Sequence, residues 1–400
     1  MTITTKRLVL RPWREEDADD LFKYARDPDV GPSTGWLPHA SAEASLWTIQ
    51  NILSAPETYA VCLKEDGKPV GSIGLMFGEQ SNIGLPEDEG EVGYWIGKPF
   101  WGQGLIPEAT AALLRHGFLD LGLTTIWCAY FDGNEKSRRV AEKCGFVYHH
   151  TNPSVYWKLL DKTITEHVTV LTREKWLADE NARLLSFWND CFASYEPEPF
   201  KGGLITDPAF WSAIDGCIPP EGAILDYGCG SGWMLMELAL ADPSLSGVGV
   251  DCSENAVSYA EKSAALSGLS RLRFICGDES ALAAYPAAFD FVVTVNTLDV
   301  LPEARAKAVL AALHRALRPG GILAVCLNPR FTDAELTDLL GMEQRGDYCY
   351  KDGILRWHRM EDAGWQALFA PEFRVLGYHT FAVTEAEKAH PRRMYLLKAL

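Results

Sequence analysis

The sequence predicts an α/β protein of two domains, and three observations carry that expectation. The chain has 400 residues, too many for one ordinary hydrophobic core and well suited to two cores of about 100 to 200 residues each. Its first half reads as strands separated by hairpin signals, whereas in its second half short apolar runs alternate regularly with helical periods. Each half also carries a glycine-rich loop between a strand and a helix, KPFWGQGLIPEA at 98–109 and ILDYGCGSGWM at 224–234. The expected division is 1–177, a linker at 178–185, and 186–400.

In the first half, RLVLRPW alternates as a strand, and REEDADDLFKYARD follows with acids in its first turn, as a helix N-terminus prefers. A helix is expected near 41–53. TYAVCLK, PVGSIGLM and EVGYWI then read as strands, the first two joined by the hairpin signal EDGK, so the early sheet is antiparallel. After the first glycine loop, EATAALLRHGFLDLG has helical periodicity and TIWCAYF reads as a strand. NEKSRRVAEKCGF is a helix with an Asn cap and a Gly stop, and HVTVLTREKW supplies a last strand. YEPEPFKGG, at 195–203, is too rich in Pro and Gly to be regular.

The rhythm then changes to strand–helix alternation. AILDYG, SGVGVDCS, LRFICGD, FDFVVTVN and GGILAVCLN are the strands; GWMLMELALAD, NAVSYAEKSAALSG and EARAKAVLAALHRAL are helices between them. Such alternation predicts a parallel sheet covered on both faces. FRVLGYHTF and RRMYLLKAL read as two closing strands.

Composition narrows the function classes. With 47% hydrophobic and 23% charged residues the chain is globular. A net charge of −17, negative in both halves, argues against nucleic acid, whose binding draws on neutralised phosphates. It favours, weakly, a cationic partner such as a small amine. Ten cysteines stand singly, without the pairs a structural zinc site needs. No leader-like segment and no apolar run of about 18 residues is present, which predicts a cytoplasmic protein with no membrane partner.

RLVLRPWREEDADDLF, EVGYWIGKPFWGQGLIPEA, GNEKSRRVAEKCGF and VLTREKW occur in one order within residues 3–176, and over that span the chain resembles the GCN5-related (GNAT) N-acetyltransferases. The resemblance implies a GNAT-type mixed sheet and acetyl-CoA as cofactor. Gly102, Gln103 and Gly104 would meet its pyrophosphate through backbone amides, and Asn134 and Ser137 would hold the pantetheine arm, with Ser137 near the departing thiolate. Arg138 would meet phosphates. Where this family often has Arg or Gln, the chain has Pro99. An alkyl ammonium must lose a proton before it attacks, so a base is needed. Glu91 is the expected base, with Glu89 on the same strand face and a solvent-facing acid as the bland reading.

ILDYGCGSGWM, GVGVDCSENAV, FICGDESAL and FDFVVTVNTLDVL, followed by LRPGGILAV, resemble the class I S-adenosylmethionine-dependent methyltransferases over residues 186–400. The resemblance implies a Rossmann-like seven-stranded sheet and S-adenosylmethionine at Asp226, Gly228, Gly230, Gly232, Asp251, Cys252, Asp278, Glu279 and Asn296. Asp251 would accept the ribose hydroxyls and Asp278 would stand beside the adenine amino group. In this family the segment at 343–360 commonly holds substrate, so Tyr348, Tyr350 and His358 are candidates, with a surface hairpin as the equal alternative for His358. Three readings stay open: a bifunctional enzyme acting on a small amine, a protein-directed acetyl- and methyltransferase, or a methyltransferase carrying a non-catalytic GNAT-like half.

Overall fold

The computed structural model describes residues 1–81, 83–351 and 353–400. The chain divides into two compact units, Met1–Asn181 and Ala182–Leu400.

Eight strands form one sheet in the first unit: β1 (Ile3–Thr4), β2 (Leu8–Arg11), β3 (Thr58–Leu63), β4 (Pro69–Met76), β5 (Glu89–Ile96), β6 (Thr125–Phe131), β7 (Val147–Trp157) and β8 (Lys162–Thr172), in the order β1-β2-β3-β4-β5-β6-β8-β7. Strands β2 to β5 form antiparallel pairs. Helix α1 (Ala18–Ala25) opens with Asp19 and Asp20 and buries Leu21 and Ala25, one turn apart, in a small core with Trp13, Ala60 and Cys62. Helix α2 (Ala42–Thr48), capped by Ser41, continues as a wider turn through Ile49–Leu53, whose Ile49 joins the same core. On the other face lies α3 (Leu105–Arg115), with seven of its eleven residues buried. They pack with Ile73, Leu75 and Val92 in the main core of the unit. Helix α4 (Glu135–Lys143) is amphipathic and adds Ala141 to that core.

Two elements differ from the expectation. Strand β7 was not anticipated, because VYHHTNPSVYW lacks clean alternation and carries Pro153. An outer strand tolerates proline at an irregularity, and the register shifts between Asn152 and Val155. Helix α5 runs Arg173–Phe192, so residues 178–185, expected as a linker, are helical.

The second unit is built on seven strands: β9 (Ala223–Tyr227), β10 (Ser246–Asp251), β11 (Leu272–Cys276), β12 (Phe289–Val295), β13 (Leu317–Leu327), β17 (Phe373–Phe381) and β18 (Arg392–Ala399), ordered β11-β10-β9-β12-β13-β18-β17. The first five are parallel, and β18 runs antiparallel to both its neighbours. Helices α6 (Pro208–Ile214), α7 (Trp233–Ala241), α8 (Glu254–Leu266), α9 (Glu303–Ala316) and α10 (Asp362–Phe369) accompany them. Burial on both faces explains the continuous apolar run FVVTV of β12: Phe291 and Val293 belong to one core cluster, Phe289 and Val292 to the other. The segment at 343–358 folds as a small antiparallel sheet of β14 (Glu343–Arg345), β15 (Tyr348–Lys351) and β16 (Ile354–His358); residue 352 lies outside the described residues. Strand order reverses between β9 and β12, and in open α/β sheets that reversal leaves a crevice at the carboxyl ends. Among the described residues, no helix is long and apolar enough to cross a membrane.

Candidate functional sites

In the first unit the site begins where the sheet parts. Strands β5 and β6 pair in parallel only from Glu89 to Glu91 with Thr125 to Trp127; beyond that, β5 pairs with β4 and β6 with β8. The facing edges leave backbone groups that need partners. At the far end of β5 the chain turns through Gly102 (φ 78°) and Gly104 (φ 75°), and Gly104 caps α3. Only glycine adopts such angles without strain. The first amides of α3 have no intrahelical acceptor and point at the loop, a cradle for an anion.

Arg7, which the sequence reading missed, stands beside that cradle. Its Nη1 donates to the Gln103 carbonyl (2.9 Å) and its Nε to Glu108 Oε2 (2.7 Å), while its side chain stays 45% exposed. Gln103 turns its side-chain amide back to the Pro99 carbonyl (2.9 Å), so the loop offers backbone rather than that side chain. Glu135 and Glu142 pair with the Arg138 guanidinium at 2.6 and 2.5 Å. Those acids lie three and four residues away on one helix face, a spacing already visible in the sequence. Asn134 caps α4 through Ser137 N (3.2 Å) and donates to the Ser33 carbonyl (3.0 Å). Ser137 Oγ lies 2.9 Å from the Tyr94 hydroxyl. Tyr94 was also missed; alternation along β5 places it opposite Glu91, and burial pushes its pKa well above the ordinary phenol value.

Glu91 is 3% exposed, so it is not a surface acid. Ser81 Oγ donates to its Oε2 at 2.8 Å. Glu89, two residues earlier on the same face, accepts from Trp127 Nε1 at 2.5 Å. A buried carboxylate lies on one face of the parted strands, and a tyrosine–serine hydroxyl pair on the other.

In the second unit Gly228 (φ 74°), Gly230 (φ 51°) and Gly232 (φ 74°) carry the chain from β9 into α7. A Cβ on Gly228 would stand 2.1 Å from Thr297 Oγ1, and one on Gly232 2.6 Å from the Phe274 ring. Asp251 binds this loop directly, Oδ2 accepting from Gly230 N (2.8 Å) and Oδ1 from Ser253 N (2.9 Å). A carboxylate has about four lone-pair sites, so it keeps acceptor capacity for hydroxyls. Cys252 beside it is exposed to solvent. Asp278 is engaged: Ser280 N and Oγ donate to it at 2.9 and 2.6 Å, and these bonds lower its pKa. Glu279 pairs with Arg305 at 2.7 Å and accepts from the Tyr227 hydroxyl at 3.3 Å.

The buried acceptors at this crevice are unusual. Asp226 is 1% exposed, and no side chain donates to its carboxylate, which has only the Leu235 amide to favour its charge. Burial first, then the charge of Asp251, raises its pKa to about 8. Asn296, just after β12, holds φ 52° and leaves Oδ1 unpartnered. Positive φ in a residue other than glycine costs about 1 to 3 kcal/mol and persists where surroundings impose it. Asp299, fully buried, accepts from Asn328 N (2.7 Å) with one oxygen and leaves the other unpartnered; burial lifts its pKa to about 6.

His358 is no surface residue. It is 2% exposed, stacks on Tyr348 at 4.3 Å, and has an unpartnered Nδ1; burial lowers its pKa. Strand β16, which ends in His358, packs against the 298–300 turn that holds Asp299. Tyr350 is wholly buried and so forms core rather than an open pocket wall.

Comparison with known proteins places both halves. A family model described as an acetyltransferase (GNAT) domain matches residues 7–147, and a methyltransferase-domain model matches residues 224–321. The chain is 30% identical over 150 residues to the uncharacterized N-acetyltransferase p20 of Bacillus licheniformis, covering 36% of this chain and 82% of that protein. It is 34% identical over 114 residues to methyltransferase ungE' of Aspergillus campestris, covering 27% of this chain but only 33% of that protein. It is 26% identical over 204 residues to FsC-acetyl coenzyme A-N(2)-transacetylase of Aspergillus fumigatus, covering 49% of this chain and 87% of that protein. GNAT domains use acetyl-CoA and methyltransferase domains use S-adenosylmethionine, and the amide-lined loop at 102–104 and the carboxylate-held loop at 228–232 fit those two groups. The chain belongs to the GNAT acetyltransferases through its first unit and joins to them, in its second, a methyltransferase domain.

Proposed function

We propose that the chain is a bifunctional transferase that N-acetylates and methylates a small amine-bearing metabolite in the tailoring of a natural product. The observation that carries this reading is the opposite chemistry of the two glycine loops. The 102–104 loop joins free helix amides to the Arg7 guanidinium and suits a pyrophosphate. The 228–232 loop is held by the Asp251 carboxylate, whose charge repels phosphate and suits the sulfonium and ammonium of S-adenosylmethionine. Two sites of different charge call for two cofactors.

In the first site acetyl-CoA supplies an activated acetyl group. Glu91, desolvated yet held by Ser81, accepts the proton of the acceptor ammonium. Ser137, oriented by Tyr94, offers a hydroxyl to the departing sulfur, and Tyr94 stays protonated because burial raises its pKa. In the second site S-adenosylmethionine supplies an electrophilic methyl group. Asp251 accepts from the ribose, the glycines let the backbone approach, and Asn296 offers its unpartnered oxygen. Alignment supplies most of the acceleration for such a transfer. The unpartnered atoms of Asp299 and His358 stand ready to receive a polar methyl acceptor. Likeness to an N(2)-transacetylase favours an amine nitrogen as acetyl acceptor. The acidic surface of the chain favours a free amine over nucleic acid.

The test incubates the intact chain with both cofactors and either a small-amine library or a peptide library, read by mass spectrometry. Acetyl and methyl increments on one small amine are expected. Modification of peptides alone, or methylation with no acetylation of any amine, contradicts the reading.

A further inference from the structure

A pocket of about 290 Å³ in the second unit is used by neither transfer reaction. Its walls come from α7, from α8 and from residues between 198 and 204, and Ser231 reaches it from the cofactor loop. None of its lining residues is assigned above to S-adenosylmethionine. The wall around 200, though too rich in Pro and Gly to be regular, is fixed in place. Gly202 and Gly203 take φ of 70° and 76°, Phe200 N donates to Ser267 Oγ (2.7 Å), and Gly203 N donates to the buried Glu237 carboxylate (2.9 Å). A wall held in this way is formed before a ligand arrives, which lowers the ordering cost of binding.

The lining joins three kinds of group. Phe200, Trp233 and Tyr259 bring half-buried rings, Tyr259 also meeting Tyr195 at 5.9 Å. Glu198 and Lys201 line the pocket from its exposed rim, and among the described residues neither side chain has a hydrogen-bond or ion-pair partner. Ser263 is 1% exposed and its Oγ has no hydrogen-bond partner, so a ligand that brings one restores a missing bond. Sites for drug-sized ligands measure about 300 to 1,000 Å³, and this smaller one suits a molecule of amino-acid size. Opposite charges on one rim suit a zwitterion, whereas a lone cation or anion meets a like charge as well as an opposite one. We propose that this pocket binds a free aromatic α-amino acid with a hydroxyl on its ring: ammonium toward Glu198, carboxylate toward Lys201, ring among the three aromatic side chains, hydroxyl at Ser263. The site goes beyond the two transfer reactions and depends on neither.

The test titrates the full chain by saturation-transfer NMR, with S-adenosylhomocysteine present to fill the cofactor site without donating a methyl group. The probes are L-tyrosine, L-phenylalanine, tyramine, which lacks the carboxylate, and 3-(4-hydroxyphenyl)propionate, which lacks the ammonium. Exposed charge pairs are weak, so tyrosine should bind about two- to fivefold more tightly than tyramine or the propionate. The hydrogen bond to Ser263 should favour tyrosine over phenylalanine by about two- to tenfold. Lys201→Gln should erase the advantage over tyramine, Glu198→Gln that over the propionate, and Ser263→Ala that over phenylalanine. The two rim residues are exposed, so their variants fold whatever the site does. No binding of tyrosine to the folded chain, its displacement by S-adenosylhomocysteine, equal binding of tyramine or the propionate, or preferences unchanged in the three variants overturns the proposal.

Discussion

Replacing Asp226 by Asn should make the methyltransferase unit more stable at neutral pH, and by an amount that grows with pH. Asp226 is buried, and burial together with the charge of Asp251 outweighs the Leu235 amide that favours its carboxylate, so its pKa rises from 3.8 to about 8 in the fold. Below pH 3.8 the carboxyl is protonated in folded and unfolded chains alike and costs nothing extra. As pH rises, the unfolded chain ionises while the folded one does not, so the fold loses stability until pH passes about 8. At about 1.4 kcal/mol per pKa unit, the loss reaches roughly 4 kcal/mol at pH 7. Asn keeps the shape and never ionises. For a unit of this size 1 kcal/mol moves Tm by about 2 to 4 °C, so the variant should gain on the order of 10 °C at pH 7 and little at pH 4. Scanning calorimetry of the intact chain reads this, using the transition that S-adenosylmethionine raises. A cationic ligand favours the ionised carboxylate, so wild-type affinity for it should also tighten from pH 6 to 8 and that of the variant should not. A stability difference that is constant between pH 4 and 8, or a variant less stable at every pH, refutes the reasoning.

Gly228→Ala places a Cβ 2.1 Å from Thr297 Oγ1 at φ 74° and should destabilise the second unit by about 2 to 4 kcal/mol, seen as a lower midpoint of its thermal transition. Arg7→Ala removes the exposed guanidinium beside the 102–104 loop, and acetyl-CoA should bind about three- to tenfold more weakly at low salt, with the deficit shrinking as salt rises. Asp251→Asn turns an amine toward either Gly230 N or Ser253 N, so S-adenosylmethionine affinity by calorimetry should fall by about 1 to 3 kcal/mol.

What could be read in the sequence was local. Gly102, Gly104, Gly228, Gly230 and Gly232 were legible as loops between a strand pattern and a helix pattern, and each adopts the positive φ that such a tight turn requires. The strand EVGYWI, with Glu89 and Glu91 on one face, was equally plain. Its meaning was not, because the parting of β5 from β6 depends on which strands pair, and pairing is not local. Strand β7 escaped because an outer, half-exposed strand need not alternate and can carry Pro153. Helix α5 was read as linker over its middle because no continuous apolar stripe marks it there. The pairing of Arg138 with Glu135 and Glu142 was legible too, because those acids stand at helical spacing from it. Burial of Asp226, Asn296, Asp299 and His358 follows from tertiary packing alone, which no local pattern in the sequence reports.

On this reading one chain holds two independent cofactor sites of opposite charge preference. A cut within 178–185 would sever α5, so the decisive measurement is calorimetry on the intact chain, titrating acetyl-CoA and S-adenosylmethionine singly and then each in the presence of the other. One molecule of each should bind per chain, with no displacement of either by the other. Arg7→Ala should weaken only acetyl-CoA and Asp251→Asn only S-adenosylmethionine. Mutual displacement, or a single stoichiometric site shared by both, would contradict it.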